Sequence, residues 1–579
     1  MTNQLLLLLL LAGDGFTPSP EELRASRTIT RASLAAPIRY LASDALQGRA
    51  PGSAGDQLAQ KYLEQRFRAL GLEPGAPEGG YRQPLELLSI TGTPAVMQLR
   101  GKDGGELQLK LLKDFIAVAG RAAPESRLDG AELVFVGYGI VAPEFQWDDY
   151  KGADLRGKVL LIMNSDPEDD PNLFAGKVRL WYGRWDYKYE QAARAGAAGA
   201  IIIHTTPSAG YAWQVVQTSW AGEQFDLPGS KVPRPAVEGW VTEEATKQIA
   251  ALAGRDLEVL RASAQHRDFK PVPLGIRVTT AFQNRVRKIV TANVIGKIAG
   301  RDPELRGQAV LYTAHHDHLG KVTDAAPGKD AIYNGAVDNA SGVAEMLAVA
   351  RAFKALRTPP RRSVYFAAVA AEEAGLLGSS YLSQHLPVPA GEVACNINID
   401  GANIWGRSRD LMMIGYGKSD LDQMVEGIAR WQGRVVTPDQ LPDRGFFYRS
   451  DQFSFAKLGI PAAYAESGTD FLGRPQGWGK AQKEKWGPRT TTSRPTSSTR
   501  AGTSPARWRT PACTSTWEAW WPTGPRCRSG APATSSSSRA ARRSVRLRHQ
   551  RRTRKPPSRS GVGLAPTSKF RRRSRHLAL

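Results

Sequence analysis

At 579 residues the chain is long enough for two or three domains with their own hydrophobic cores. Its formal net charge of +23 would point to nucleic acid or an anionic membrane if evenly spread, but residues 487–579 hold 22 Lys plus Arg against one acid, Glu518, leaving 56 bases and 54 acids before them. The first 486 residues are therefore nearly neutral and carry no electrostatic footprint for a polyanion, and three cysteines, Cys395, Cys513 and Cys527, cannot build a disulfide framework.

In chain order, "LLLLLLLAG" from Leu5 has the texture of the apolar core of a secretory signal, although no Lys or Arg precedes it. We read residues 1–25 as an export segment with a clipped or misassigned start, which implies a periplasmic or secreted protein. The bland reading is a frayed apolar N-terminus on a cytoplasmic one. No other run approaches the 18 or so apolar residues of a membrane-spanning helix, so no integral membrane segment is expected. Residues 26–84 form an N-terminal helical part, in which Ala59, Tyr62, Leu63, Phe67 and Leu70 recur at helical spacing and stop at Gly71 and Pro74. Residues 85–271 change texture: "AELVFVGYGI", "GKVLLIM" and "YEQAARAGAAGAIIIH" read as short strands and a helix in a small β-rich α/β module. From about Asn293 the runs "AVLYTA", "SVYFAAVA" and "ACNINI", with the helical "SGVAEMLAVARAFKAL" between the first two, predict a larger α/β domain. Near-continuous apolar strands suit a mostly parallel sheet covered on both faces. Such a sheet places its ligand site beyond the carboxyl ends of its strands.

Four segments deliver chemistry there. "TAHHDHLG" offers His315 with Asp317 two residues on, a pattern suited to a metal ligand with a supporting carboxylate, although a histidine cluster on a loop is more often a solvated patch. "NGAVDNASGVAEM" sets Asp338 just before a helix, where it can bridge two cations, or where it or Asn339 merely caps the helix. "YFAAVAAEEAGLLGS" places Glu372 and Glu373 straight after a buried strand, where unpaired carboxylates are costly, and "ACNINIDGAN" ends its apolar run on Asp400. Each alone is weak. Together they supply imidazole and carboxylates for two divalent ions plus one glutamate left over as a base, the arrangement that two-metal hydrolysis needs.

In that order of motifs, His-x-Asp, Asp-Asn-x-Ser-Gly, Glu-Glu and strand-terminal Asp, the chain resembles the co-catalytic di-zinc exopeptidases of the aminopeptidase Y and glutamate carboxypeptidase type. The resemblance runs from about Ile38 to Trp486 and includes "LASDALQGRAPGSAGD" and "FFYRSDQFSFAKLGIPAAY". The middle module resembles the protease-associated domain that many of these enzymes carry. The resemblance implies a zinc exopeptidase fold over residues 272–486, a peptide substrate and two Zn²⁺ ions. It also implies roles: His315 and Asp400 on one zinc, Glu373 on the other, Asp338 bridging, Glu372 as general base and Asp317 orienting His315. An aminopeptidase is the leading expectation; a related di-zinc carboxypeptidase or amidase, or a catalytically inactive binding homologue, stands beside it. A C-terminal exopeptidase would need Arg for the substrate carboxylate, and neither recognition set is readable from sequence. Tyr448 is a candidate hydrogen-bond donor to an oxyanion, with a packed aromatic as the blander role. Oligomeric state is not legible.

The family's last zinc ligand is a histidine expected shortly after "SGTDFLGRPQGWGKAQKEKW", yet none lies between His385 and His549. His549 stands in an Arg-rich stretch with nothing to position it. We read residues 487–579 as a frameshift product: Thr codons begin with AC, so Thr490, Thr491 and Thr492 read one nucleotide earlier encode only Asp, Asn, His or Tyr, which puts the missing histidine under Thr491 or Thr492. The alternative is a genuine disordered basic tail for acidic partners. On the frameshift reading this chain has a defective second zinc site.

Overall fold

The computed structural model describes residues 16–168, 170–322 and 330–490, with side chains to residue 485. Its larger sheet has ten strands. In spatial order they are Gln224–Asp226, Arg82–Thr91, Arg285–Ile298, Ser363–Val369, Ala309–His315, Val393–Asn398, Ala462–Ser467, Asp410–Ile414 and Val435–Pro438, with Glu73–Pro74 added to Arg285–Ile298. The four central strands, Ser363–Val369 to Ala462–Ser467, are parallel, whereas the long strands beside them are antiparallel. The expected mixed sheet is thus parallel through its centre and again between Asp410–Ile414 and Val435–Pro438, with antiparallel strands elsewhere.

The central strands are buried on both faces, which is why their sequences are continuous rather than alternating. Val310, Tyr312 and Ala314 face a core built with the helices Arg31–Leu41, Ala54–Ala69 and Gly342–Lys354. Ala309 and Leu311 face the opposite way, toward Leu382 and Phe455. Ala309–His315 lies between the two strands that follow it in the chain. The strand order thus reverses at its carboxyl end, and a crevice opens where successive connections leave in opposite directions.

A second, eight-stranded sheet begins at Val96–Gly101 and closes at Val272–Gln283. Both joins move from those expected at 85 and 271. Arg82–Thr91 pairs along ten residues with Arg285–Ile298 in the larger sheet, and the alternating burial of Val272–Gln283 matches its pairing with Glu125–Phe135 in the smaller. Ser19 caps the helix Pro20–Ser26, whose Ala25 is buried in the larger core, so the expected boundary at residue 25 cuts an element that belongs to the domain. Residues 1–15 and 491–579, with most of the apolar leader, Thr491, Thr492 and His549, lie outside the described residues. No described helix is long and apolar enough to cross a membrane.

Candidate metal centre and active site

All six residues singled out from the sequence meet at the carboxyl ends of the central strands. His315 closes Ala309–His315 with 1% of its surface exposed. Its Nε2 lies 3.1 Å from Asp338 Oδ1, 3.3 Å from Asp400 Oδ1 and 3.9 Å from Glu372 Oε2. A second group forms around His318, whose Nδ1 is 2.6 Å from Glu373 Oε1. Two sets, His315 with Glu372 and Asp400, and His318 with Asp338 and Glu373, each bring their ligand atoms within 4.8 Å of one another. Asp338 touches His315 while belonging to the His318 set, the position a bridging carboxylate needs.

The local folding explains this convergence. Asn339, not Asp338, caps the helix. Its Oδ1 accepts from Gly342 N at 3.0 Å and Gly401 N at 2.9 Å, and its Nδ2 donates to Ile399 O at 2.9 Å. This ties the Asp338 turn to the Asp400 turn and leaves the Asp338 carboxylate free for the site. Asp400 is fixed by Ser450, whose hydroxyl donates to Oδ2 at 2.6 Å. Asp317 lies beside both His315 and the Glu-Glu turn. Its Oδ1 stands 3.7 Å from His315 Nδ1, beyond hydrogen-bond reach, while its carboxylate accepts the backbone N–H groups of Glu372 at 3.0 Å and Glu373 at 3.3 Å. Its structural work is to hold the Glu-Glu turn against the His315 strand.

Arg49, Asp56 and His318 belong to the site although none of the three was singled out within the segments that carry them. Arg49 is fully buried and donates to the carbonyls of His316 (2.8 Å), Asn334 (2.7 Å), Gly335 (3.1 Å) and Leu41, which clamps the loops carrying His318 and Asp338. Gly335 must be glycine there: φ is +59°, and a Cβ would lie 2.6 Å from Arg49 Nη2. Asp56 is 3.1 Å from His316 Nε2 and accepts from Thr291 Oγ1 at 2.7 Å. Both clamps come from the "GRAPGSAGD" segment, the one available signal of their presence. Tyr448 packs edge-on against Phe453, lies near Trp181 and lines the cavity of the metal centre. His204 ends a strand of the smaller sheet and sits 3.1 Å from Tyr211 O, outside both metal groups.

The electrostatics are dominated by surplus negative charge. Burial pushes Glu372 well above the usual carboxylate range, and Asp400, Glu373 and Asp451 add to the rise against the pull of His315. Glu373 is raised by burial and Asp338 despite His318. Burial acts upward on Asp338 too, but its hydrogen bond to His315 and the charges of His315, His318 and Arg49 hold it at about 2. His315 is driven well up, its burial outweighed by Glu372, Asp317, Asp338 and Asp400. Imidazole and carboxylate donors in two buried clusters with excess negative charge are the donor chemistry of zinc, and cations between them would relieve the desolvated carboxylates. The centre opens into a cavity of about 1390 Å³ lined by Glu372, Glu373, Asp338 and Asp400 and by residues of the smaller sheet's domain.

A family model described as Peptidase family M28 matches residues 293–493, ending close to the compositional seam. Aminopeptidase YwaD of Bacillus subtilis (strain 168) is 26% identical over 414 residues, which is 70% of this chain and 70% of that protein. Aminopeptidase NAALADL1 of Mus musculus is 31% identical over 134 residues, 22% of this chain and 16% of its own length. Among solved structures, an aminopeptidase from Aneurinibacillus sp. strain AM-1 aligns with a TM-score of 0.47 and 20% identity, covering 78% of this chain and 88% of its own.

Proposed function

We propose that this chain, which carries a peptidase family M28 domain over residues 293–493, is a zinc-dependent aminopeptidase that removes N-terminal residues from peptides. The observation that carries the reading is the pair of His-carboxylate groups at the switch point of the sheet, in one cavity. His315 and Asp400 would hold one ion, and His318 and Glu373 the other, with Asp338 between them. On this reading His318 would take the part that the resemblance gives to a later histidine, supported by its grouping with Asp338 and Glu373. Zinc, when bound, polarises the scissile carbonyl and brings the pKa of water from about 15.7 toward about 7.

The chain's own groups do the rest. Glu372 receives the proton of the attacking water and delivers it to the departing amine; a positioned base of this kind contributes ~10²–10⁴-fold. Asp317 fixes the backbone that aims Glu372, and Ser450 holds Asp400. The insert is read as a protease-associated-type module that limits access to the cavity, and the chain as exported. The test is hydrolysis of aminoacyl p-nitroanilides before and after chelation and zinc return. Zinc-restored release from free-amine substrates, absent with N-acetylated ones, supports the reading; equal cleavage of both contradicts it.

A further inference from the structure

The cavity that holds the metal centre has a cationic wall that the hydrolytic chemistry does not use. Arg184, on the insert, and Arg444 and Arg449, on the segment before the last central strand, line it together with Glu372 and Asp400. Arg179 lies against the same join: it packs on Gly183 and Gly445, and its backbone N–H donates to Pro442 O at 3.0 Å. Arg179 and Arg184 are 6% and 7% exposed, and the Nε atoms of Arg179, Arg184 and Arg444 are buried without a hydrogen-bond partner. The only described carboxylate in ion-pair range of any of the four is that of Asp186, 3.4 Å from Arg184 Nε.

Arg449 sits between the rings of Tyr211 and Phe446, 5.8 and 5.5 Å from their centroids. Burial, followed by repulsion from Arg184 and Arg179, brings it down to about 10 against the pull of Tyr211 and Glu372. Desolvated like charges are costly when they have no counter-ion. Asp166 and Asp443 both act on Arg179, Asp166 being shared with Lys188 and accepting from Leu180 N at 2.9 Å, which leaves Arg449 as the buried guanidinium with no described carboxylate in ion-pair range. Arg449 also directly precedes Ser450, which holds Asp400, so an anion on this wall lies beside the scissile bond.

We propose that Arg184 and Arg449, backed by Arg179 and Arg444, form a carboxylate-binding subsite across the join of insert and peptidase domain, selecting peptides that present a carboxylate near the cleaved bond. The inference rests on the peptidase reading above. Guanidinium forks bind carboxylates bidentately, and a peptide offers that group from two sources: the C-terminus of a di- or tripeptide, or an acidic side chain at the N-terminal residue. Both share the chemistry, and the two probe pairs below separate them.

The experiment is calorimetric titration of the zinc-loaded Glu372→Gln chain, which does not turn its ligand over. One probe pair is trialanine and trialanine amide; the other is Glu-Ala-Ala amide and Gln-Ala-Ala amide. The expected result is about tenfold or more tighter binding of the acid within one pair, with the ratio collapsing to within twofold in Arg184→Gln and Arg449→Gln and only partly restored by Arg449→Lys. Trialanine discrimination identifies the C-terminus as the source, and Glu/Gln discrimination the side chain. Acid-to-amide ratios within twofold in both pairs, measured on the parent itself, would overturn the subsite while leaving the peptidase reading in place. A ratio that survives both arginine changes would also overturn it. If none of the four peptides binds, both readings fall together.

Discussion

The two sheets treat buried charge in opposite ways. In the core of the insert, Lys188, fully buried, donates to Tyr138 O at 2.7 Å and Ser165 O at 2.8 Å and faces Asp166 and Asp149. Glu238 lies 3.0 Å from Arg234. In the peptidase part, Asp317, Asp338, Glu372, Glu373, Asp400 and Asp451 crowd around His315 and His318, and the donors of Arg49 go to main-chain carbonyls. Both carboxylate oxygens of Asp451 are buried with no hydrogen-bond partner. The first set places a cation against its carboxylates; the other stays in deficit until cations arrive. That deficit separates a binding site from a structural ion network.

The largest effect should come from the base. Glu372→Gln is expected to lower kcat by ~10²–10⁴-fold with zinc content unchanged, whereas Glu373→Gln should lose metal. Comparable zinc loss in both variants would remove Glu372 from the role of base. In the insert, Lys188→Met should destabilise by about 3–5 kcal/mol, because Asp149 and Asp166 lose their shared cation. The loss, read by denaturant unfolding, should be the same with and without zinc; a zinc-dependent loss would mean the two charge systems are coupled.

Removing zinc should act on the peptidase part alone. Free zinc at a hundred times its Kd stabilises by about 2.7 kcal/mol, so chelation should lower the peptidase unfolding step. The fluorescence of Trp147 and Trp240, both buried in the insert, should report a transition that does not move. The smallest effect is on pH. Burial raises Asp451 to about 7 and Glu372 in the same direction. In the zinc-free chain their contribution is fully present below the unfolded pKa near 3.8 to 4.5 and is lost as pH rises through the folded values. Bound zinc needs the ionised forms, so the gap in melting temperature between loaded and stripped protein should widen from pH 5 to 8. A gap that narrows would put the acids' shifts in the wrong direction.

The central strands were legible because continuous apolar runs leave little choice of element, and strand-end position then carried His315, Glu372, Glu373 and Asp400 into one place. Asp338 was legible only as a choice between cap and ligand, which Asn339 resolves by taking the cap. His318 was hidden because its partner Glu373 is 55 residues away and only the parallel pairing of their strands joins them. Arg49 was hidden for a related reason: a lone arginine in a turn declares nothing until the loops it clamps, 267 to 286 residues on, are folded against it. The joins of the insert were misjudged because Arg82–Thr91 is as strand-like as its neighbours, and sheet membership is set by its pairing with Arg285–Ile298. The expected histidine under Thr491 or Thr492 is a separate matter, checked by sequencing the gene around the Trp486 codon.

Zinc bound per chain, measured by elemental analysis on the unaltered protein and on His318→Gln, tests the account most directly. Two zinc ions in the parent and one in His318→Gln, with aminopeptidase activity lost in step, are the results predicted. A parent that binds one zinc, unchanged by His318→Gln, would contradict the assignment of His318, Asp338 and Glu373 as the second site.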